Sequence, residues 1–189
     1  MRLVETVHEA LAAVLLPGDF AIDATAGNGH DVAFLAKLVG VSGKVHAFDL
    51  QRAALATTEE KLRRESLLER CTLHHGSHQH MAEVLPSEML GRTRAIVFNL
   101  GYLPGGDKSI VTTASSTLPA LETATRWLAA NGLLTVTAYR GHLGGMEETN
   151  DVEQLLTNLP VEDFVVSMER PSTDTTAPIA YLVRKGRGA

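Results

Sequence analysis

A doubly wound α/β fold on a mostly parallel sheet is the architecture this sequence predicts, and three observations predict it. Short apolar runs alternate with helical patterns along nearly the whole chain, an order that implies parallel strands covered on both faces. The first strand-like run opens into a glycine turn, "DATAGNGHD", where sheets of this kind hold ligands. The last two runs follow each other with no helical pattern between them, which puts an antiparallel strand near the C-terminus.

Taken in order, "VETVHEALAAVLLPG" has apolar residues at helical spacing and closes on Pro17-Gly18. "DFAIDATAG" reads as a strand entering the turn, and "HDVAFLAKLVG" as the helix after it. "GKVHAFDL" is a second strand, followed by the two-faced helix "RAALATTEEKLRRESL". "CTLHHGS" supplies a third strand, and "QHMAEVLPSEML" a short helix broken at Pro86. "TRAIVFNL" is the fourth strand, and "SSTLPALETATRWLAANG" a helix from Ser115 or Ser116 to Asn131-Gly132. "GLLTVTAY" is the fifth strand, "MEETNDVEQLLTNLP" contains the next helix, and "EDFVVSMERP" and "PIAYLVRK" complete seven strands. Trp127 sits at apolar spacing in its helix and reads as core.

The 189 residues suit one domain, 1–189, with no linker or repeat to divide them. A share of 44% hydrophobic and 21% charged residues is that of an ordinary globular protein. No apolar run approaches the ~20 residues that span a bilayer, so no membrane is expected. Glu5 and Glu9 inside the first apolar pattern argue against a secretory signal. The lone Cys71 reads as a small buried hydrophobe and suits a reducing cytoplasm. A protein that coats nucleic acid non-specifically usually carries a basic balance, whereas this chain's net charge is −5. Contact with RNA would need a local patch and a specific pocket; the basic tail "RKGRGA" reads as a frayed terminus.

In the turn, Gly27 and Gly29 let the backbone bend tightly and approach a ligand. Asp49 follows at the end of the second strand, where a carboxylate can grip both hydroxyls of a ribose. Together these features point to a nucleoside-containing cofactor. The third glycine of a dinucleotide fingerprint is absent, and acids flank the turn at Asp23 and Asp31. Carboxylates repel a pyrophosphate but suit the ammonium and sulfonium charges of S-adenosylmethionine (SAM). Asp31 can also be read as a simple helix cap.

"DATAGNGHD", "FDLQ", "HGSHQ" and "FNLGYLPGGDK" together resemble the class I SAM-dependent methyltransferases labelled rRNA methylases. That family has a Rossmann-like, seven-stranded fold, and its members methylate the amino group of 5-aminomethyl-2-thiouridine at the wobble position of tRNA. The resemblance implies tRNA as partner, met at the anticodon arm. It places Asn28, Gly29 and Asp31 around the methionine end of SAM, Asp49 and Gln51 at the ribose and adenine edge, and Ser77 and His78 beside the adenine. Many relatives in the wider class carry an acid at that third turn, where this chain has "GSHQ".

"FNLGYLPGGDK" ends the fourth strand with groups suited to an amine. The Asn99 side chain and the Leu100 carbonyl can accept hydrogen bonds from amino hydrogens and aim the nitrogen. Gly101 removes bulk, and Tyr102 offers a ring face. "NLGY" stands where amino-methyltransferases have an N/D-P-P-Y/F motif. Asp107 can meet a cationic amine and Lys108 a phosphate. From "TAYRGHLGG" at the fifth strand's end, Tyr139 can stack on a base, Arg140 can bind phosphate and His142 can take the amine's proton. The histidines of "HHGSHQH" lack a completing cysteine or carboxylate cluster, and no metal site is expected.

The leading reading is thus a SAM-dependent N-methyltransferase acting on the tRNA wobble uridine. The alternatives are an rRNA base amine or small-molecule amine as acceptor, and a nucleotide sensor without catalysis. The oligomeric state is not legible in the residues; a homodimer stands as an open expectation.

Overall fold

In order, the chain forms α1 (Leu3–Ala12), β1 (Phe20–Asp23), α2 (His30–Val39), β2 (Lys44–Asp49), α3 (Arg52–Arg64), β3 (Cys71–His75), α4 (Met81–Val84), β4 (Thr93–Leu100), α5 (Ala114–Trp127), β5 (Leu128–Ala138), α6 (Gly145–Thr157), β6 (Phe164–Glu169) and β7 (Ile179–Lys185). The computed structural model describes residues 2–107 and 109–188. The strands make one sheet in the order β3-β2-β1-β4-β5-β7-β6. The pairs from β3 through β5 are parallel, while β7 runs antiparallel between β5 and β6. This is the expected mostly parallel, seven-stranded sheet with helices on both faces and an antiparallel strand near the C-terminus. Among the described residues, no helix is long and apolar enough to cross a membrane.

The two faces carry different side chains. Ala21, Val45, Ala47, Ala95 and Val97 turn towards α1, α2 and α3, in one buried cluster with Leu11, Leu35 and Leu62. Their strand neighbours Ile22, Phe48, Ile96 and Phe98 turn towards α4, α5 and α6, in a second cluster with Met81, Leu121, Trp127 and Leu156. Alternation along each strand sorts small residues to one side and large ones to the other. Trp127 is buried in the second cluster, as expected. Cys71 is partly buried against the first, and that burial pushes its thiol up to about 11.

The boundary between α5 and β5 differs from the sequence reading. The helix does not reach Asn131-Gly132 but stops at Trp127, and β5 begins at once. The pairing then shifts, with Thr93 opposite Leu128 but Ala95 opposite Leu133. The extra residues form a bulge in which Asn131 takes a left-handed φ of 58°. The Asn-Gly pair therefore turns the chain as its chemistry demands, inside a strand rather than at a helix end.

Candidate active site

Sequence order reverses between β1 and β4, so the loops leaving those strands diverge and open a crevice. A cavity of about 860 Å³ fills it, lined by the turn after β1, the ends of β2 and β4, and the segment after β5. Gly27 and Gly29 have φ values of 52° and 74°. A Cβ on Gly29 would lie 2.7 Å from the Thr58 hydroxyl. That hydroxyl donates to the Gly27 carbonyl at 2.9 Å. Asp49 ties the same turn down: its two carboxylate oxygens accept the N–H groups of Gly27 at 2.9 Å and Gln51 at 2.8 Å. Each oxygen keeps a further lone pair for a ribose hydroxyl.

The flanking acids separate into different roles. Asp23 is fully buried, and its Oδ2 has no partner among the described residues. Burial, then the charge of Asp31, drive its pKa well above the usual carboxylate range. Asp23 does not line the cavity, so the expected charge contact with the cofactor is not what its position offers. Asp31 does line it. Burial alone would raise its pKa, but hydrogen bonds from His8 and Asn99 outweigh burial and hold it below the ordinary value. His8 Nε2 donates to one oxygen at 2.7 Å and Asn99 Nδ2 to the other at 2.8 Å.

That second bond fixes the Asn99 amide. A carboxylate can only accept, so the nitrogen faces Asp31 and the carbonyl oxygen Oδ1 is left to accept from an amine. The Asn99 backbone N–H donates to the Thr25 hydroxyl at 2.7 Å, locking strand and turn together. Leu100 also takes part in the sheet. Its side chain is buried in the core, and its carbonyl accepts the Tyr139 N–H at 2.9 Å and keeps a second lone pair.

Gly101 is gripped from both sides. Its N–H donates to the Thr112 hydroxyl at 2.8 Å, and its carbonyl accepts the Thr112 N–H at 3.0 Å. The Thr112 hydroxyl in turn donates to the buried Glu148 at 2.8 Å, and the Thr117 hydroxyl donates to that carboxyl group's other oxygen at 2.7 Å. Tyr102 stands at the cavity wall with its ring edge-on to His142 at 6.0 Å. Asn28 Nδ2 donates to the Pro104 carbonyl at 3.3 Å, joining the glycine turn to the "NLGYLPGG" loop.

Other expected residues divide. His78 lines the cavity, with Nδ1 donating to the Ala24 carbonyl at 3.2 Å and a buried Nε2 that has no partner among the described residues. That orphaned acceptor suits an adenine amino group. Ser77 instead caps the adjoining 3₁₀ turn by accepting the Gln79 N–H, and does not line the cavity. Gln51 and Tyr139 do line it. Arg140 does not offer its guanidinium to phosphate: it is 5% exposed and donates to the carbonyls of Ala177 and Asp174. His142 lines the cavity, donates through Nδ1 to the Leu143 carbonyl, and has a buried Nε2 between Gly101 and Gly145 with no partner among the described residues. Asp107 is occupied by Ser109 and lies outside the cavity wall. Lys108 lies outside the described residues.

Residues 45–184 match the family described as "Putative rRNA methylase". The chain belongs to this family. It is 37% identical over 192 residues to the chloroplastic tRNA (mnm(5)s(2)U34)-methyltransferase of Arabidopsis thaliana, across 97% of this chain and 69% of that protein. A Clostridium thermocellum structure carrying the family's description superposes with a TM-score of 0.92 at 36% identity, covering 98% of each chain. A Streptococcus mutans relative, solved in complex with SAH, superposes at 0.87 with 32% identity and the same coverage. As a member of the rRNA methylase family the chain is a SAM-dependent methyltransferase. The sequence pattern had pointed to the parts of the cavity wall at Gly27, Asp31, Asp49, Asn99 and Tyr102. It missed His8, Thr112 and Glu148, whose parts depend on contacts between distant segments.

Proposed function

We propose that this one-domain protein, residues 1–189, transfers a methyl group from SAM to the amino group of 5-aminomethyl-2-thiouridine at the tRNA wobble position, giving the 5-methylaminomethyl nucleoside. The observation that carries the reading is the Asn99 amide, turned by Asp31 so that its oxygen can accept an amine at the cavity wall. Bound SAM would supply an electrophilic methyl group on sulfonium. Asp49 would hold its ribose, His78 its adenine edge, and Asn28, Gly29 and Asp31 its methionine end.

Asn99 would orient the amine's lone pair, which is most of what methyl transfer asks of a protein. Gly101 leaves room beside it: a Cβ there would come within 3.2 Å of the Tyr139 side chain. Tyr102 and Tyr139, 37% and 42% exposed at the rim, give faces on which anticodon bases can stack. The choice of tRNA is supported by the Arabidopsis relative. One copy carries every group the reading uses, so a homodimer is not required by it. A reducing compartment that holds tRNA, the cytoplasm in the sequence reading, suits the lone Cys71.

Nucleoside mass spectrometry of tRNA bearing 5-aminomethyl-2-thiouridine, incubated with the protein and SAM, tests the proposal. A mass gain of one methyl on that nucleoside supports it. SAM binding without methylation of that nucleoside would send the search to rRNA or small-molecule amines.

A further inference from the structure

Resting on that reading, we propose that Leu143 is a wedge: it enters the base stack of the anticodon loop and fills the gap left when the wobble uridine swings out into the cavity. A nucleoside stacked in an RNA loop cannot bring its aminomethyl group to a strand end inside a crevice. It must leave the stack, and contacts to the opened loop must offset the cost of unstacking. Apolar side chains inserted between bases serve that purpose where proteins open nucleic acid.

Leu143 is 97% exposed, more than any other large hydrophobic side chain among the described residues. One exposed leucine is ordinary in itself; the setting of this one is not. It directly follows the run from Tyr139 to His142, every residue of which lines the cavity. Its backbone is held in place. His142 Nδ1 donates to the Leu143 carbonyl at 3.0 Å, and the Gly145 N–H donates to the His142 carbonyl at 3.1 Å. Arg140 ties the same run to the carbonyls of Ala177 and Asp174. A free apolar side chain on a fixed base can enter a stack with little ordering of its own backbone to offset.

The neighbours of Leu143 name its occupant. Tyr102, Ile110 and Tyr139 line the cavity and Met146 lies in the first turn of α6, each between 37% and 42% exposed. Apolar and aromatic groups therefore edge the acceptor half of the site. Among the described residues that line the cavity, Arg140 alone carries a guanidinium or ammonium group, and carbonyls already occupy it. Such an edge suits the faces of unstacked bases, not a run of phosphates. The extruded uridine would meet the rings of Tyr102 and Tyr139 with its aminomethyl arm towards Asn99, while Leu143 stands between the bases it left.

The test compares wild type, Leu143→Ala and Leu143→Met with SAM on two acceptors: tRNA carrying 5-aminomethyl-2-thiouridine, and the free nucleoside, which has no stack to open. In parallel, an anticodon stem-loop with 2-aminopurine beside the modified uridine reports unstacking as a rise in fluorescence on binding. An exposed side chain can be exchanged without unfolding the protein. On tRNA, Leu143→Ala should lose roughly tenfold in kcat/KM, and its fluorescence rise should shrink. Leu143→Met should keep both, and on the free nucleoside all three proteins should react alike. A Leu143→Ala protein that matches wild type in rate on tRNA and in fluorescence overturns the inference. So does a deficit of the same size on the free nucleoside, the mark of a disturbed cavity wall. Where the free nucleoside reacts too slowly to measure, an undiminished fluorescence rise in Leu143→Ala overturns it alone. Should the wild type bind SAM yet leave the tRNA nucleoside unmethylated, the functional reading falls, and this inference falls with it.

Discussion

Asn99 serves an amine only while its amide is held the right way round, and a single carboxylate oxygen decides that. Replacing Asn99 with Ala should lower the rate of methyl transfer by about 10²-fold while leaving SAM affinity in calorimetry unchanged. Glu148 controls the neighbouring residue from a distance, since it anchors the hydroxyl that grips Gly101. A Gln there can accept at one atom only, so either the Thr112 or the Thr117 hydroxyl loses its acceptor. Glu148→Gln should cost about 1–3 kcal/mol of stability in urea unfolding and lower kcat without moving SAM affinity. At this scale the sequence was readable where a residue's job follows from its strand end. Gly27, Gly29, Asp49 and Asn99 are of that kind. Where the job depends on a partner far along the chain, it was not. His8 meets Asp31 across 23 positions, and Thr112 meets Glu148 across 36. Arg140 was misread for the converse reason: position at a strand end does not tell whether a neighbouring segment already occupies a guanidinium.

At the scale of elements, the order of helices and strands was legible because hydrophobic period and turn residues agree along most of the chain. The start of β5 was not. Helical spacing ran on through "LAANG", while burial in the sheet claimed Leu128 and left the Asn-Gly pair to make a bulge. The pairing of β2 with β3 carries a different lesson. His46 and His74 share a hydrogen bond of 2.9 Å across it, and His74 also stacks on Phe48. Burial first, then the charge on His74, push His46 from 6.5 down to about 4. A histidine depressed in the folded state takes up protons more readily once unfolded. Its contribution to stability is therefore complete above pH 6.5 and is lost as pH falls from there towards about 4. His46→Leu removes that dependence. The melting temperature of wild type should fall relative to the variant as pH drops through this window, read by circular dichroism; parallel curves would refute the assignment.

For the molecule as a whole, the two sheet faces are not interchangeable. Small side chains cover the side of α1 to α3 and large ones the side of α4 to α6. Both faces are apolar, so composition alone hides the difference, and only the alternation within each strand displays it. An added volume should therefore be felt on the small side, where the interior is already filled. Ala95→Leu is expected to destabilise by about 1–3 kcal/mol in urea unfolding.

The reversal of strand order between β1 and β4 also divides the labour of the site. The groups proposed to hold the donor come from the β1–β3 half, and those proposed to hold the acceptor come from the β4–β5 half with α5 and α6. Such a layout lets a lineage exchange its substrate while keeping its cofactor, because the acceptor half can be rewritten as a unit. The hydrogen bond from Asn99 to Asp31 crosses that seam beside the cavity. Any descendant or chimera that recombines the halves must preserve an amide on one side and a carboxylate on the other, or invent another way to aim its nucleophile.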